Sequence, residues 1–264
     1  MLRTVFGKTL FEKRWMILIW TLAVFVTNLA LVQIFPPMKE ALSEMMTDLP
    51  ESLAALFGND SQALTSLKGY VSLEVFGQMS LAVVVFGIVF SSSVLAGEEK
   101  SGLLLTQLAR PVSRVSFFIQ KYLAYAAALV LVMVGFVLGT SLGTLMLGEV
   151  ITPCELANGA VGITLLALGL GSLTFAIGAI FANGALAGAL VGFYAVLGYF
   201  IASMSGAADI LTTLGQLTPF HYYNEPDLMY NSFDIKNVLV LLGIVIVPLI
   251  AALPVFARRD LRTR

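Results

Sequence analysis

Long, nearly uncharged apolar runs constrain this chain before any other feature does. The first, Trp15 to Phe35, is 21 residues without a charge. At 1.5 Å per residue a helix of that length covers about 31 Å, the depth of a bilayer's hydrocarbon. Five more runs follow at 71–96, 115–147, 156–181, 185–205 and 237–256. Glu74 sits near one end of the second, and the third is long enough to begin outside lipid. With 58 % apolar residues, 12 % charged residues and a mean hydropathy of +0.92, the composition lies far outside soluble-domain usage. The expected fold class is an all-α integral membrane protein, a single domain over 1–264 with six transmembrane helices.

The connecting segments refine this. Residues 1–14 set Leu2, Phe6 and Leu10 at four-residue spacing among Arg3, Lys8, Lys13 and Arg14, the pattern of an amphipathic helix lying in the membrane interface. It joins the first run directly, and that run is too long for a cleaved signal peptide, so a retained anchor is expected. Pro36-Pro37 is expected to end the first span, and Met38 to Tyr70 to form an acidic outer segment with one or two short helices. Gly135, Gly139 and Gly143 share a face of span three. Gly184, Gly188 and Gly192 repeat the spacing in span five, and both stripes read as close helix packing. Residues 206–236 are too long for a tight turn and mix Pro219, Phe220, His221, Tyr222, Tyr223 and Pro226 with acids, which fits a re-entrant or interfacial hairpin.

Twelve of the 15 Lys and Arg fall in residues 1–14, 97–121 and 257–264. The positive-inside rule therefore puts both termini and the loop 97–114 in the cytoplasm. No charge is expected near a span midplane, which disfavours an ion-coupled carrier. Ser91-Ser92-Ser93 has no His or Lys at its level to make a nucleophile, and reads as packing. Cys154 has no partner for a disulfide, and His221 has no second His or Cys nearby for a metal. No basic groove with interleaved aromatics suggests nucleic acid. No phosphate-loop motif occurs, so no cofactor is expected in this chain, and any ATP and Mg would sit on another subunit.

The most charged interruption is Gly97-Glu98-Glu99-Lys100-Ser101-Gly102, a leucine-rich turn and a half, then Ala109-Arg110-Pro111-Val112-Ser113-Arg114, with Ser113 as a helix N-cap. The acidic pair reads either as an ordinary helix start, where acids suit the dipole, or as a partner contact. The segment resembles the first cytoplasmic loop of ABC-2-type transporter permeases. Leu49-Pro50, Leu56-Phe57-Gly58, Gly69-Tyr70, Leu217-Thr218-Pro219-Phe220-His221-Tyr222 and Phe256-Ala257-Arg258-Arg259-Asp260 resemble other landmarks of that family. Two departures are Leu103-Leu104, where many relatives read Thr-Leu-Glu, and Thr218, where Ser is usual.

The resemblance implies a bacterial inner-membrane exporter subunit that is not itself an enzyme. It implies two cytoplasmic ABC ATPase subunits as partners and a second permease, identical or homologous. Carried over by position, Glu98, Glu99, Gly102, Leu105, Leu108, Arg110, Pro111, Val112, Ser113 and Arg114 would form the ATPase-coupling element, while Pro219, Phe220, His221 and Tyr222 would form an outer gate. The competing reading of the aromatics is an interfacial belt of Tyr222, Tyr223 and Tyr230. An alternative function is a membrane subunit that uses the ATPase stroke to signal mechanically and moves no solute. A weaker one is a scaffold without an ATPase.

Overall fold

The computed structural model describes residues 4–48, 66–95, 113–149, 151–204, 209–223 and 234–258. Every regular element among them is helical. Helix α1 (Val5–Glu12) is capped by Thr4, whose hydroxyl accepts from Gly7 N–H. A one-residue break at Lys13 leads into α2 (Arg14–Gln33), and a second at Ile34 into α3 (Phe35–Asp48). The proline pair therefore does not end the first span. Pro36 and Pro37 fall in the first turn of α3, where the missing N–H groups have no intrahelical acceptor to serve, and Met38 N–H resumes the ladder to Ile34 C=O.

The second span enters four residues before the apolar run suggests. Ser66 caps α4 (Leu67–Tyr70) through Gly69 N–H, a π-helical stretch covers Val71–Phe76, and α5 (Gly77–Val94) completes the crossing. Next come α6 (Arg114–Met146) and α7 (Pro153–Phe181). Helix α7 also starts early, because Thr152 and Glu155 form a reciprocal capping box around Pro153. Ala182 takes the left-handed conformation (φ 54°) and Asn183 caps α8 (Gly184–Ser203) through Leu186 N–H. This is the tight turn that the Ala-Asn-Gly sequence suggests. Two short helices, α9 (Asp209–Gly215) and α10 (Pro219–Tyr223), precede α11 (Ile235–Arg258). Among the described residues six helical units are long and apolar enough to cross a membrane: Arg14–Ala41, Leu67–Val94 and the four helices α6, α7, α8 and α11.

The six are not equal. In spans two, three and four, 56 %, 56 % and 67 % of the most apolar window is buried within the chain, against 22 %, 22 % and 17 % in spans one, five and six. The central trio meets around Tyr125, whose ring occupies space left by Gly87 and Gly171 and whose hydroxyl donates to Ala167 C=O at 2.6 Å. Span one lies along span three over the glycine face. A Cβ on Gly135 would come within 2.7 Å of Thr21, and one on Gly139 would collide with the Phe25 carbonyl. Asn28 Nδ2 donates across this seam to Phe136 C=O and Thr140 Oγ1, and Gln33 Nε2 to Gly143 C=O. Such bonds hold helices together where lipid offers no hydrophobic drive.

Candidate functional site

Two ends of the bundle carry the residues of interest. At one end lie α1, the start of α6, the end of α7 and the end of α11. Helix α1 rests on α6 with Val5 and Thr9 buried and Leu10 partly buried against the core, and Phe6 N–H donates to Gln120 Oε1. Phe11 and Trp15 are left exposed, with the Arg14 guanidinium 3.9 Å over the Phe11 ring. Ser113 caps α6 through Ser116 N–H, and Arg114 donates to Ala257 C=O at 3.4 Å, tying the start of span three to the end of span six. Phe118 packs between Phe175 and Phe256 at 4.9 and 5.6 Å. Among the described residues this end carries Lys8, Lys13, Arg14, Arg114, Lys121 and Arg258 against Glu12 alone.

Lys121 is not a surface base. It is wholly buried on the inner side of α6, its ammonium 5.4 Å from the Phe117 ring. The sequence shows only a Lys eight residues into a long helix, and the helical face it occupies follows from the packing of spans two to four. Of the residues assigned to coupling, Ser113 and Arg114 are described and belong to this basic end. Glu98, Glu99, Gly102, Leu105, Leu108, Arg110, Pro111 and Val112 lie outside the described residues.

At the opposite end α9 and α10 form a short hairpin that folds back along span five. Its turn is tight: Thr218 N–H and hydroxyl both reach Gly215 C=O, and Pro219 takes the first position of α10. Tyr194 donates to Leu217 C=O at 2.8 Å. Tyr194 precedes the end of α8 by nine residues, so the turn lies roughly 14 Å back along that helix. Gly198 makes room for Thr218 and Phe220.

The four residues assigned to a gate divide. Pro219 is buried and borders an apolar cleft of about 550 Å³, which Leu170, Tyr194, Ile244 and Pro248 also line. Phe220, 5 % exposed, packs edge-on against Tyr199 at 5.6 Å. His221 is exposed, and half-buried Tyr222 donates to Gln216 C=O. Tyr223 departs from the belt reading: it is 1 % exposed and its hydroxyl donates to Phe76 C=O at 3.3 Å. Nothing in the run of Tyr222-Tyr223 separates an outward from an inward ring, because the turn that orients them is set by the hairpin's contact with span two.

At this same end Lys68 Nζ lies 2.6 Å from Glu155 Oε1 and joins the first turns of spans two and four. Among the described residues no three His, Cys, Asp or Glu side chains are placed to hold a metal ion. Compared with known families, residues 8–261 match the model described as ABC-2 family transporter protein. No curated protein matches the chain.

Proposed function

From the premise that the chain belongs to the ABC-2 family of transporter proteins, as a multi-pass membrane permease component that associates with ABC ATPase subunits, we propose that it is one half of the translocation path of an ATP-driven exporter. A second copy, or a homologous permease, supplies the other half, and two cytoplasmic ATPases drive exchange between inward- and outward-facing states. The observation that carries this reading is the family match over nearly the whole chain.

The concentration of bases at one end supports a cytoplasmic orientation for α1, the start of α6 and the end of α11 in a bacterial inner membrane. That end is also where the coupling residues Glu98 to Arg114 fall in the sequence between spans two and three. In this reading Glu98 and Glu99 make charge-assisted hydrogen bonds to the ATPase or to α1, Leu105 and Leu108 fill its cleft, and Arg110 to Arg114 with Pro111 fix the bend into span three. The stroke reaches lipid depth through α6, because α1, α7 and α11 all contact its first turns. The hairpin at the other end then forms the outer closure. Pro219 and Phe220 are its packed inner face, and its movement as a unit, rather than a swing of Phe220 alone, opens the path.

The test is the Glu98→Ala, Glu99→Ala double variant, purified with its ATPases and reconstituted. Transport of a candidate solute should fall at least about tenfold relative to ATP hydrolysis, or the ATPase should dissociate, with the membrane fold intact. Unchanged transport and unchanged ATPase retention would remove the pair from coupling. ATPase stimulation without movement of any solute would favour a mechanical signalling subunit.

A further inference from the structure

We propose that the π-helical stretch Val71–Phe76 is a register joint that holds the α9–α10 hairpin closed against the bundle, with the Lys68–Glu155 pair pinning it on one side and the Tyr223 hydroxyl on the other. The proposal concerns how the far end is held, and it stands whether or not a solute moves.

A π stretch accommodates one residue more than an α-helix of the same length. If the turn relaxed to α geometry, everything on one side of it would rotate by about 100° and shift by about 1.5 Å relative to the other side. The contacts on the two sides therefore cannot both survive a change of register. On the loop side, Lys68 is paired with Glu155, and the Tyr70 hydroxyl donates to Leu31 C=O at 2.9 Å while its ring lies 5.4 Å from Phe35. On the core side, the Phe76 ring fills the place where Gly159 lacks a side chain and meets Phe136 edge-on at 4.9 Å. The Phe76 carbonyl, at the last residue of the stretch, receives the Tyr223 hydroxyl in a buried setting.

This arrangement links the Lys68–Glu155 pair to the hairpin through the π stretch. Lys68 and Glu155 set the rotation of the first turn of span two, and that rotation decides whether the π register is kept. The register in turn decides where the Phe76 carbonyl points, and so whether the hairpin has its buried anchor. Two packings of one helix, separated by a single residue of register, make a discrete two-state element.

Hydrogen–deuterium exchange of the intact permease–ATPase complex in nanodiscs tests the joint without relying on transport. Tyr223→Phe keeps the ring and removes the anchor, and amides of residues 209–223 should exchange about fivefold faster, the factor that loss of one ordinary hydrogen bond gives. Lys68→Met and, separately, Glu155→Gln should speed the same peptides by a similar factor, although neither residue belongs to the hairpin. The Gln variant keeps an N3 side chain able to serve the Thr152 cap, so it separates loss of the ion pair from loss of the helix start. If Tyr223→Phe leaves the hairpin's exchange unchanged, there is no anchor. If Tyr223→Phe speeds it but both ion-pair variants leave it unchanged, the anchor is local and the joint is overturned.

Discussion

Spans three and five carry the same sequence signal and use it differently. Gly135, Gly139 and Gly143 repeat at four-residue intervals, as do Gly184, Gly188 and Gly192. In span three every member of the stripe is covered by span one, so closely that a Cβ would meet Thr21, Phe25 or Val32. In span five the stripe opens progressively. Gly184 is buried, a Cβ on Gly188 would sit at an ordinary 3.5 Å from Ser92, and one on Gly192 would have nothing within 4 Å. Small-residue spacing therefore announces a surface that permits close approach, and says nothing about whether the approaching helix belongs to the same chain. Span one answers for span three because Asn28 and Gln33 give that seam polar bonds at matched heights. Among the described residues no comparable side chain reaches Gly192.

The largest effect should come from closing the sealed stripe. Gly139→Val places carbon where the Phe25 backbone stands, and backbone cannot rotate out of the way, so spans one and three must separate. Overpacking of this kind costs about 3 kcal/mol. The variant should lose most of its cooperative unfolding transition in detergent, and a midpoint equal to that of the unaltered protein would show that the seam is looser than its geometry indicates.

A smaller effect follows from the polar half of the same seam. Asn28→Leu removes the bonds to Phe136 and Thr140 but also removes Oδ1, a buried oxygen with no hydrogen-bond partner. The two contributions oppose each other, and interhelical side-chain bonds in membranes contribute only about 0.6 kcal/mol on average. The net loss should be about 1 kcal/mol or less, read as a shift in the same unfolding transition. A loss as large as that of Gly139→Val would mean that hydrogen bonding, rather than backbone approach, holds the seam.

The six crossings were legible because hydropathy acts on every residue of a span, and no local detail outweighs twenty apolar side chains. What local rules missed were the ends. Pro36-Pro37 reads as a stop only if the helix is assumed to continue through it without a break, whereas a one-residue break at Ile34 turns the same prolines into first-turn residues. The early start of span four was written in Thr152, Pro153 and Glu155, a capping box that hydropathy alone does not weigh. The π stretch had no sequence signal, since Val71–Phe76 holds neither Gly nor Pro and its one charge, Glu74, suits an ordinary span end. The inward turn of Tyr223 and the burial of Lys121 were not legible for a related reason: composition sorts residues between lipid, water and core, but the rotation of a helix is fixed by its neighbours. The hairpin's place was visible in Pro219 and its length, while its division into an inner Pro219–Phe220 face and an outer His221–Tyr222 face was not.

The smallest effect on stability should carry the most information about assembly. A Cβ at Gly192 would have nothing within 4 Å, and Val196, one turn on along the same face, is 41 % exposed, so a larger side chain there points into space that the described residues leave open. Gly192→Leu should therefore leave the unfolding midpoint unchanged to within about 0.5 kcal/mol, the range of substitutions that touch nothing. If the proposed second permease approaches along span five, the same leucine holds the two helices apart, and the fraction of paired permease in nanodiscs should fall by about tenfold or more, the change that follows from losing roughly 1.4 kcal/mol of helix contact. Mass photometry of the purified permease reads that fraction directly. Retained pairing with unchanged unfolding would assign the second copy to another face of the bundle, with spans one and six the remaining lightly buried helices. A large drop in unfolding midpoint would instead mean that span five is not open in the folded protein, and would close the difference between the two stripes.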